Sequence, residues 1–206
     1  MSNNRFDILA QEWDSKLERV ETAINFVDHI KSTLPYNDIS DFSAVDYGCG
    51  SGLVSFALAS DLKEILGLDY SKAMVEKYNQ KAANLNFSHL RAKQHNINQQ
   101  SIDNAQYNLA VTNMTMHHIK DTFRFVSTLK SSLKSSGYLY ISDLVTEDGS
   151  FHSMGNDDVE HFGFDKDTLY KIFKELNFHD INYDIVQTIE KEQGSYPIFS
   201  ISGKAI

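Results

Sequence analysis

The sequence predicts an α/β domain in which short buried strands alternate with helices. Residues 44–46 form a brief apolar run that ends in an acid and then passes through three glycines at alternate positions into a helical pattern rich in Ala and Leu. A second apolar run, residues 64–68, ends in another acid, Asp69, seventeen residues after Gly52. Strand, tight turn, helix and second strand make a βαβ unit, the repeating element of a parallel sheet. Glycines at such a turn admit a ligand where a Cβ would collide.

The glycine spacing separates two classes of ligand. Gly48, Gly50 and Gly52 occupy every second position, whereas a dinucleotide fingerprint places its third glycine three residues after the second and holds a pyrophosphate there. Asp46 lies two residues before the first glycine, where a carboxylate repels a pyrophosphate but attracts an ammonium or sulfonium. S-adenosylmethionine carries both cations and no phosphate. Asp69 fits either cofactor, because an acid at the tip of the second strand can bind ribose hydroxyls in both.

The glycine turn and the two acidic strand ends together resemble the class I S-adenosylmethionine-dependent methyltransferases. The first motif of that family reads acid-x-Gly-x-Gly-x-Gly, and its second motif ends in an acid. Five residues match position for position: Asp46, Gly48, Gly50, Gly52 and Asp69. The resemblance implies a Rossmann-like fold, with helices on both faces of a seven-stranded, mostly parallel sheet whose last strand runs antiparallel between its neighbours. It also implies that these residues bind the cofactor, together with Cys49 inside the turn.

Length and composition favour one ordinary globular domain. The chain has 206 residues, 41% hydrophobic and 23% charged, which is enough to bury a substantial core. We expect a single methyltransferase domain over residues 1–206, with an N-terminal helical lid (1–40), a cofactor-binding half (41–145), and an acceptor-side loop followed by a C-terminal hairpin (146–206). Cys49 is the only cysteine, so no intrachain disulfide forms. We interpret it as a small residue that fits the turn rather than as a nucleophile, since no His lies near it in sequence.

Charge and hydropathy exclude several classes of partner. The net charge is −9, and the 19 Lys and Arg residues are dispersed, which argues against a nucleic-acid surface. No apolar run approaches the roughly 20 residues that span a bilayer, and the polar start at residues 1–5 lacks a signal-peptide pattern. We therefore expect a cytoplasmic monomer or homodimer that acts on a small-molecule methyl acceptor, without nucleic-acid or membrane partners.

The first predicted element is helical. Apolar residues recur with helical spacing through residues 6–34, which indicates one or two amphipathic helices that end before Pro35. In the small-molecule methyltransferases that the chain resembles, a comparable segment closes over the cofactor. Trp13 or Tyr36 is then expected to line this lid, and packing in the lid or core is favoured over direct substrate contact.

A helix is predicted after the second strand, over residues 71–85, with Ser71 as its N-cap. The resemblance places Tyr70 and Met74 against the adenine of the cofactor. For Met74 the alternative is ordinary core packing, and both roles are compatible.

Two further strands and a helix follow. A weak third strand covers residues 87–92, and the resemblance places Asn96 and Ile97 after it, beside the adenine. Many family members have Asp at the position of Asn96, and the amide oxygen can accept the same hydrogen bond. A fourth strand at residues 107–113 leads towards a helix at residues 121–133.

The segment between the fourth strand and this helix carries cofactor and catalytic candidates. Asn113 and Met114 follow the strand at the edge where open α/β sheets bind ligands, so we expect them in the cofactor wall. His117 and His118 are neighbours in sequence and are not expected to act as a pair. One of them, with His118 as the candidate, is either a general base or a residue that only hydrogen-bonds to the loop.

A fifth strand, residues 138–144, is followed by a long polar loop, residues 146–163. Insertions here build the acceptor pocket in related methyltransferases, so His152, His161 and Glu147 are the acceptor-side candidates, the two histidines as catalytic ones. The loop matches no metal-ligand template, and we expect no metal. The last predicted elements are a helix at residues 165–176 and strands at residues 178–186 and 196–202.

The resemblance implies methyl transfer by in-line displacement, in which the protein mainly aligns an acceptor atom with the methyl carbon. An amine or hydroxyl acceptor needs a base for its proton, whereas a thiolate needs none, and the histidines leave all three open. One alternative is a protein that binds S-adenosylmethionine without catalysis, as a sensor or partner subunit. A nicotinamide-dependent oxidoreductase is a more distant alternative, because the wider glycine spacing is absent. An acceptor cavity open to the cofactor would favour the enzyme, and aromatic side chains filling it would favour the binder.

Overall fold

The computed structural model describes residues 5–152 and 155–206, so the polar start at residues 1–4 and two positions of the long loop, Ser153 and Met154, lie outside the described residues. Seven strands form a sheet in the order β3-β2-β1-β4-β5-β7-β6. The strands are β1 (Ser43–Tyr47), β2 (Glu64–Asp69), β3 (Leu90–Gln94), β4 (Tyr107–Asn113), β5 (Leu133–Leu144), β6 (His179–Lys191) and β7 (Gly194–Lys204).

The strand directions confirm the predicted sheet. β1 pairs in parallel with β2 and β4, and parallel pairing continues outward to β3 and β5. β7 lies between β5 and β6 and runs antiparallel to both. The order of the strands reverses at β1 and β4, and in open α/β sheets the crevice beside such a reversal is where ligands bind.

Helices cover both faces of the sheet, as predicted. They are α1 (Arg5–Leu9), α2 (Leu17–Thr33), α3 (Leu53–Ala57), α4 (Lys72–Asn84), α5 (Thr122–Ser132) and α6 (Lys166–Glu175), with 3₁₀ helices at Ala10–Ser15 and Met116–His118. Successive strand residues point to opposite faces. Ala44 therefore packs with the apolar side chains of α2, α3 and α4, while the next residue, Val45, packs with those of α5 and α6.

Side-chain caps explain where three of the helices begin. Ser71, Asp121 and Asp165 each accept a hydrogen bond from the backbone N–H three residues further on, at 2.9–3.1 Å. Each satisfies an N–H group that the first turn of a helix leaves without a partner. The predicted starts of α4, α5 and α6 are confirmed.

Several strand ends differ from the predicted bounds. β5 begins earlier than predicted, because Leu133 pairs with Tyr107 of β4 before a shift in register. β6 extends to Lys191, because the antiparallel ladder with β7 continues to the hairpin turn. β3 begins at Leu90, later than predicted, since the Phe87 N–H instead closes the last turn of α4 through a 2.9 Å hydrogen bond to a carbonyl of that helix.

The N-terminal segment, residues 5–34, contains the two predicted α-helices with a 3₁₀ helix between them. Tyr36 lies beyond its end and packs edge-on against Phe42 and Tyr138, at ring-centroid distances of 5.2 and 6.1 Å, rather than in a lid. No helix in the described part of the chain is long and apolar enough to cross a membrane.

Candidate active site

A cavity of about 660 Å³ lies at the carboxyl edge of the sheet, over the ends of β1, β2 and β4. The last residue of β2, Asp69, and the last residue of β4, Asn113, contribute to its wall, as does Asp46 near the end of β1. Parallel strands place their carboxyl ends at one edge of a sheet, so residues far apart in sequence meet here. The N-terminal segment covers the cavity from the opposite side.

The glycine turn after β1 forms the floor of the cavity. Gly48 has φ +69° and donates its N–H to the carbonyl of Leu68 at 2.7 Å, and a Cβ on it would collide with the Thr115 side chain. Gly50 has φ +52°, and its N–H donates to Oδ2 of Asp69 at 2.8 Å. A Cβ on Gly50 would make ordinary van der Waals contacts, the nearest with Nε1 of Trp13 at 3.6 Å, and Gly50 lines the cavity.

A buried carboxylate, that of Asp46, and a partly buried one, that of Asp69, flank this turn. Asp46 is 2% exposed, and burial raises its pKa to about 7 even though the Ser55 hydroxyl donates to Oδ2 at 2.7 Å. Burial likewise raises the pKa of Asp69, although the N–H groups of Ser71 and Gly50 donate to it. A buried acid with a raised pKa gains from a cation placed beside it, because the cation stabilises the ionised form.

Asn113 and Met114 form the wall at the end of β4. Oδ1 of Asn113 is buried and accepts no hydrogen bond from the described residues. Buried amide oxygens without a donor are uncommon, and this one lies at the cavity, where a ligand N–H or O–H can satisfy it. Met114 turns the chain away from the strand with φ +51°, an unusual conformation for a residue other than glycine.

Cys49 and Gly52 are placed by packing. The Cys49 thiol is buried in the core between β1 and α4, and burial raises its pKa well above its ordinary value, so it is not a thiolate at neutral pH. Gly52 starts α3 with φ +92°, and a Cβ there would lie 2.6 Å from Phe56 and Tyr78. Cys49 lines the cavity, whereas Gly52 lies behind the turn.

The structure brings most of the predicted cofactor residues together. The predicted residues that line the cavity are Trp13, Asp46, Gly48, Cys49, Gly50, Asp69, Tyr70, Met74, Asn113 and Met114.

Asn96 and Ile97 are not in the cavity wall. The Asn96 amide oxygen accepts from the N–H of Asn98 within its own turn, and Ile97 is buried in the core, where its N–H donates to the Tyr47 hydroxyl at 3.0 Å. The side chain at the wall is that of Asn98, two residues after Asn96. A sequence motif does not reveal how a short turn rotates its side chains, which explains the displacement.

The acceptor-side predictions divide in the same way. His118 and His152 line the cavity. His161 does not, because its Nε2 lies 3.0 Å from the carbonyl of Ile119 and its ring packs against Phe164. Glu147 also lies elsewhere and orders its own loop, its Oε2 accepting from two backbone N–H groups at 2.7 and 3.1 Å.

The N-terminal segment is fixed over the cavity by α4. Oδ1 of Asp7 accepts from the hydroxyl of Ser71 at 2.5 Å, at the start of α4, and Lys77 donates to two carbonyls of the segment at 2.8 Å. Asp14 accepts from Lys81 at 3.0 Å. Trp13 is thereby held beside Gly50, with the Arg19 guanidinium 3.6 Å above its ring centroid.

Two ion pairs join the N-terminal segment to the long loop and to the end of β6. Arg5 donates to Oδ1 of Asp158 at 2.7 Å, and Lys191 lies 3.4 Å from Glu18. These four residues line the cavity, and the sequence did not single them out. Single charged residues in a loop and at a strand end form no recognisable sequence pattern. These residues are identified as cavity residues only by their contacts in the folded structure.

Three histidines cluster in the cavity wall, two from the 3₁₀ helix after β4 and one from the long loop. The ring centroid of His117 lies 4.0 Å from that of His118 and 5.1 Å from that of His152. Burial, together with the positive charge that His117 carries when it is protonated, lowers the pKa of both His118 and His152 to about 4. Both rings are therefore neutral at neutral pH and are weak bases.

His117 has a carboxylate partner that the sequence did not suggest. Its Nδ1 lies 2.7 Å from Oδ1 of Asp143, and its backbone N–H donates to Oδ2 at 3.1 Å. Both side chains are buried, at 2% and 0% exposure. Burial raises the pKa of Asp143, but the positive charge that His117 carries when it is protonated, together with hydrogen bonds from His117 and from the Leu144 N–H, outweighs this effect, so the pKa lies below its ordinary value. The signal in the sequence was an acid near the end of a buried strand, as at Asp46 and Asp69.

The sheet order, the glycine turn and the acids at the ends of β1 and β2 define a class I S-adenosylmethionine-dependent methyltransferase domain. The chain belongs to the methyltransferase domain family, whose model matches residues 39–194.

Individual relatives agree with this family. The chain is 30% identical over 149 residues to an uncharacterized methyltransferase of Schizosaccharomyces pombe, an alignment that covers 66% of this chain and 52% of that protein. The alignments with the curated relatives cover 50–60% of their length, so the chain spans about half of them.

Solved structures with a similar fold are more distant in sequence. A chain of the complex between the Haloferax volcanii Trm112 methyltransferase activator and the putative methyltransferase superposes with a TM-score of 0.80 at 16% identity, covering 100% of this chain and 99% of that one. Phosphoethanolamine N-methyltransferase 2 of Haemonchus contortus, in complex with S-adenosyl-L-methionine, superposes with a TM-score of 0.72 at 13% identity, covering 87% and 52%.

Proposed function

We propose that the chain binds S-adenosylmethionine in the 660 Å³ cavity and transfers its methyl group to a small-molecule acceptor. The observation that carries this proposal is the buried Asp46 beside a glycine turn that lines the cavity. Its pKa of about 7 shows that ionisation is costly without a partner, and the ammonium and sulfonium of the cofactor are such partners. A pyrophosphate at the same place would be repelled.

The residues present fit this cofactor. Asp69 lies in the cavity wall, where its carboxylate would accept hydrogen bonds from ribose hydroxyls, and Oδ1 of Asn113, which has no donor among the described residues, would accept from an ammonium or an amine. Tyr70 and Met74 supply flat and polarizable apolar surface for the adenine. When bound, S-adenosylmethionine supplies an electrophilic methyl group.

The protein's own contribution is to bind, orient and exclude water. Phe6 and Trp13 pack edge-on with ring centroids 5.9 Å apart and cover the cavity from the N-terminal segment. On the acceptor side Phe151 and Ile189 form an apolar wall. We infer that the N-terminal segment acts as the lid of a single domain, and that His118 and His152 bind the acceptor as neutral hydrogen-bonding groups.

A small acceptor is supported by the shape and charge of the protein. Cavities of about 300–1,000 Å³ are typical of small-molecule sites, and this one falls within that range at 660 Å³. The net charge of −9 disfavours a nucleic-acid acceptor. The predicted cytoplasmic location and monomeric or homodimeric state stay predictions.

The alternative is a domain that binds S-adenosylmethionine without catalysis. The cavity extends beyond the glycine turn to Phe151, His152 and Ile189, and this part of the cavity favours an enzyme, because it offers room for an acceptor beside the cofactor. The three-histidine cluster at that end supports the same choice.

Calorimetric titration with S-adenosylmethionine, S-adenosylhomocysteine and NAD tests the proposal. We expect micromolar binding of the first two and none of NAD. Release of S-adenosylhomocysteine on addition of small hydroxyl, amine or thiol compounds would then separate the enzyme from the binder. Binding of NAD alone would overturn the proposed cofactor.

A further inference from the structure

We propose that His117, held by Asp143, takes a proton from the methyl acceptor, and that the acceptor atom is therefore a hydroxyl oxygen or an amine nitrogen. This inference rests on the proposed methyltransferase function. His117 lines the acceptor side of the cavity, so it is within the site rather than behind it.

The hydrogen bond to Asp143 fixes which nitrogen of His117 is free. An ionised carboxylate only accepts hydrogen bonds, so the 2.7 Å contact requires a proton on Nδ1 of the imidazole. In the neutral ring the lone pair is then on Nε2. Asp143 itself is held by the backbone N–H groups of His117 and Leu144, at 3.1 and 2.8 Å, so it keeps its orientation when the ring changes charge.

The surroundings distinguish His117 from the other two histidines. Nδ1 of His118 lies 2.5 Å from the backbone carbonyl of Asp158, which is uncharged, and the Asp158 carboxylate is 3.8 Å away. His152 has no carboxylate at hydrogen-bond distance among the described residues. Of the three rings, only His117 has a carboxylate that directly compensates the positive charge gained with a proton.

The groups around the His117–Asp143 pair, called the dyad below, differ in charge. His118 and His152 face His117 from its own turn and from the long loop, and both are neutral at neutral pH. Arg5 of α1 contributes a positive charge on this side, and its partner Asp158 contributes a negative one. Arg5 and Asp158 pair with each other, and Asp143 is the carboxylate that hydrogen-bonds to His117.

The proton transfer balances as follows. A bond forms between the acceptor oxygen or nitrogen and the methyl carbon while the carbon–sulfur bond breaks, and that electron pair remains on sulfur. The acceptor proton passes to Nε2 of His117, giving an imidazolium that is paired with the Asp143 carboxylate and later returns the proton to water. A thiolate acceptor has no proton to give, and the dyad would then serve no purpose.

A purely structural role is the competing explanation. The carbonyl of His117 accepts from the N–H groups of Glu160 and His161, so the residue also anchors the long loop. The experiments must therefore measure the protonation and reactivity of the His117 imidazole, and also whether each variant still folds.

The first measurement is long-range ¹H–¹⁵N NMR of histidine-labelled protein with S-adenosylhomocysteine bound, with His117→Asn used to assign the resonance. We expect the His117 ring to carry its proton on Nδ1, and the Asp143→Asn variant to lose this preference, because an amide can donate to Nδ1. An unchanged ring tautomer in Asp143→Asn, or a proton on Nε2 in the wild type, would overturn the inference.

The second measurement is turnover with S-adenosylmethionine over a panel of phenols, aliphatic amines and thiols. We expect a hydroxyl or amine as acceptor, and a decrease in kcat of about 10²–10⁴-fold in Asp143→Asn with cofactor affinity within twofold of wild type. The kcat of His117→Ala should fall by a similar factor and recover partly when imidazole is added to the buffer. A purely structural role of His117 would not give this recovery. A thiol acceptor, or wild-type turnover by both variants, would refute the dyad's role. Absence of cofactor binding by the wild type would instead refute the proposed function, so the two failures are distinguishable.

Discussion

Oδ2 of Asp69 accepts a hydrogen bond of 2.8 Å from the backbone N–H of Gly50, which ties the tip of β2 to the glycine turn that follows β1. The two halves of the cofactor motif, nineteen residues apart, are thus one structural unit. The bond fixes the position of Gly50 relative to the Asp69 carboxylate, and both residues line the cavity. Their relative position therefore bears on cofactor binding.

Replacing Asp69 with Ala is expected to weaken S-adenosylmethionine binding by about 1–3 kcal/mol, the usual cost of losing charged hydrogen bonds. Calorimetric titration measures the change. Asp41→Ala is the matched control, because this exposed aspartate lies before β1, at the opposite edge of the sheet. Equal affinities of Asp69→Ala and wild type would rule out the ribose-binding role.

Replacing Asp46 with Asn should stabilise the ligand-free protein at neutral and higher pH. The pKa of Asp46 is about 7 when folded and near 3.8 when unfolded, so the folded state holds its proton more tightly. The wild-type unfolding free energy therefore loses a contribution of roughly 4 kcal/mol as pH rises from about 4 to about 7, and Asn does not titrate.

The lowered pKa values of His118 and His152 make the folded protein more stable as pH rises from about 4 to about 6.5, which is opposite to the effect of Asp46. Variant and wild type share these histidines, so the difference between their unfolding free energies isolates Asp46. Chemical denaturation at several pH values measures it. Asp46→Asn should also bind S-adenosylmethionine more weakly. A difference in stability that does not vary with pH would contradict the assignment of the raised pKa.

Gly50→Ala separates backbone strain from ligand blockage. Gly50 and Gly155 have φ values of +52° and +92°, and a Cβ at either position would meet no protein atom closer than 3.6 Å, so Ala costs about 1–2 kcal/mol of strain at either site. Only Gly50 lines the cavity. We expect similar losses in Tm for the two variants but a loss of at least tenfold in cofactor affinity for Gly50→Ala alone. Equal affinities would refute the close approach of the ligand to Gly50.

The Arg5–Asp158 ion pair is expected to slow release from under the N-terminal segment. A partly exposed pair is worth about 0.2–1 kcal/mol, so Arg5→Gln should speed S-adenosylhomocysteine dissociation by a factor of about 1.4 to 5. Trp13 is the only tryptophan and lines the cavity, so its fluorescence reports dissociation in stopped flow. Lys171→Gln removes an exposed ion pair on α6 and should leave the rate unchanged. The same rate in Arg5→Gln as in wild type would argue against a lid.

His118→Gln and His161→Gln form a matched pair. His118 lines the cavity, whereas His161 packs against Phe164, so the first should raise the KM for the acceptor several-fold and the second should leave it unchanged. Because His118 has a pKa of about 4, its replacement should not move the pH profile of kcat near neutrality. A profile that shifts in His118→Gln would identify that residue, rather than His117, as the base.

Much of the fold could be predicted from local patterns. Hydrophobic runs and caps such as Ser71 and Asp165 act over three or four residues, so they are visible in the sequence. The extension of β5 to Leu133 was not visible, because it depends on pairing with another strand. The family resemblance places Asn96 beside the adenine, but its amide oxygen accepts a hydrogen bond from the N–H of Asn98 within the same turn.

The sequence by itself determined the sheet class and the cofactor motif. Asp46, the alternate glycines and Asp69 are set by short-range geometry, since a turn that brings backbone N–H groups to a ligand needs glycine at fixed positions. Only the tertiary structure decided which residues meet at the histidine end of the cavity. Asp143 reaches His117 because β4 and β5 are neighbours in the sheet, and Arg5 reaches Asp158 because the N-terminal segment folds back over the site. Contacts between residues distant in sequence depend on packing of the whole chain, which no local pattern encodes.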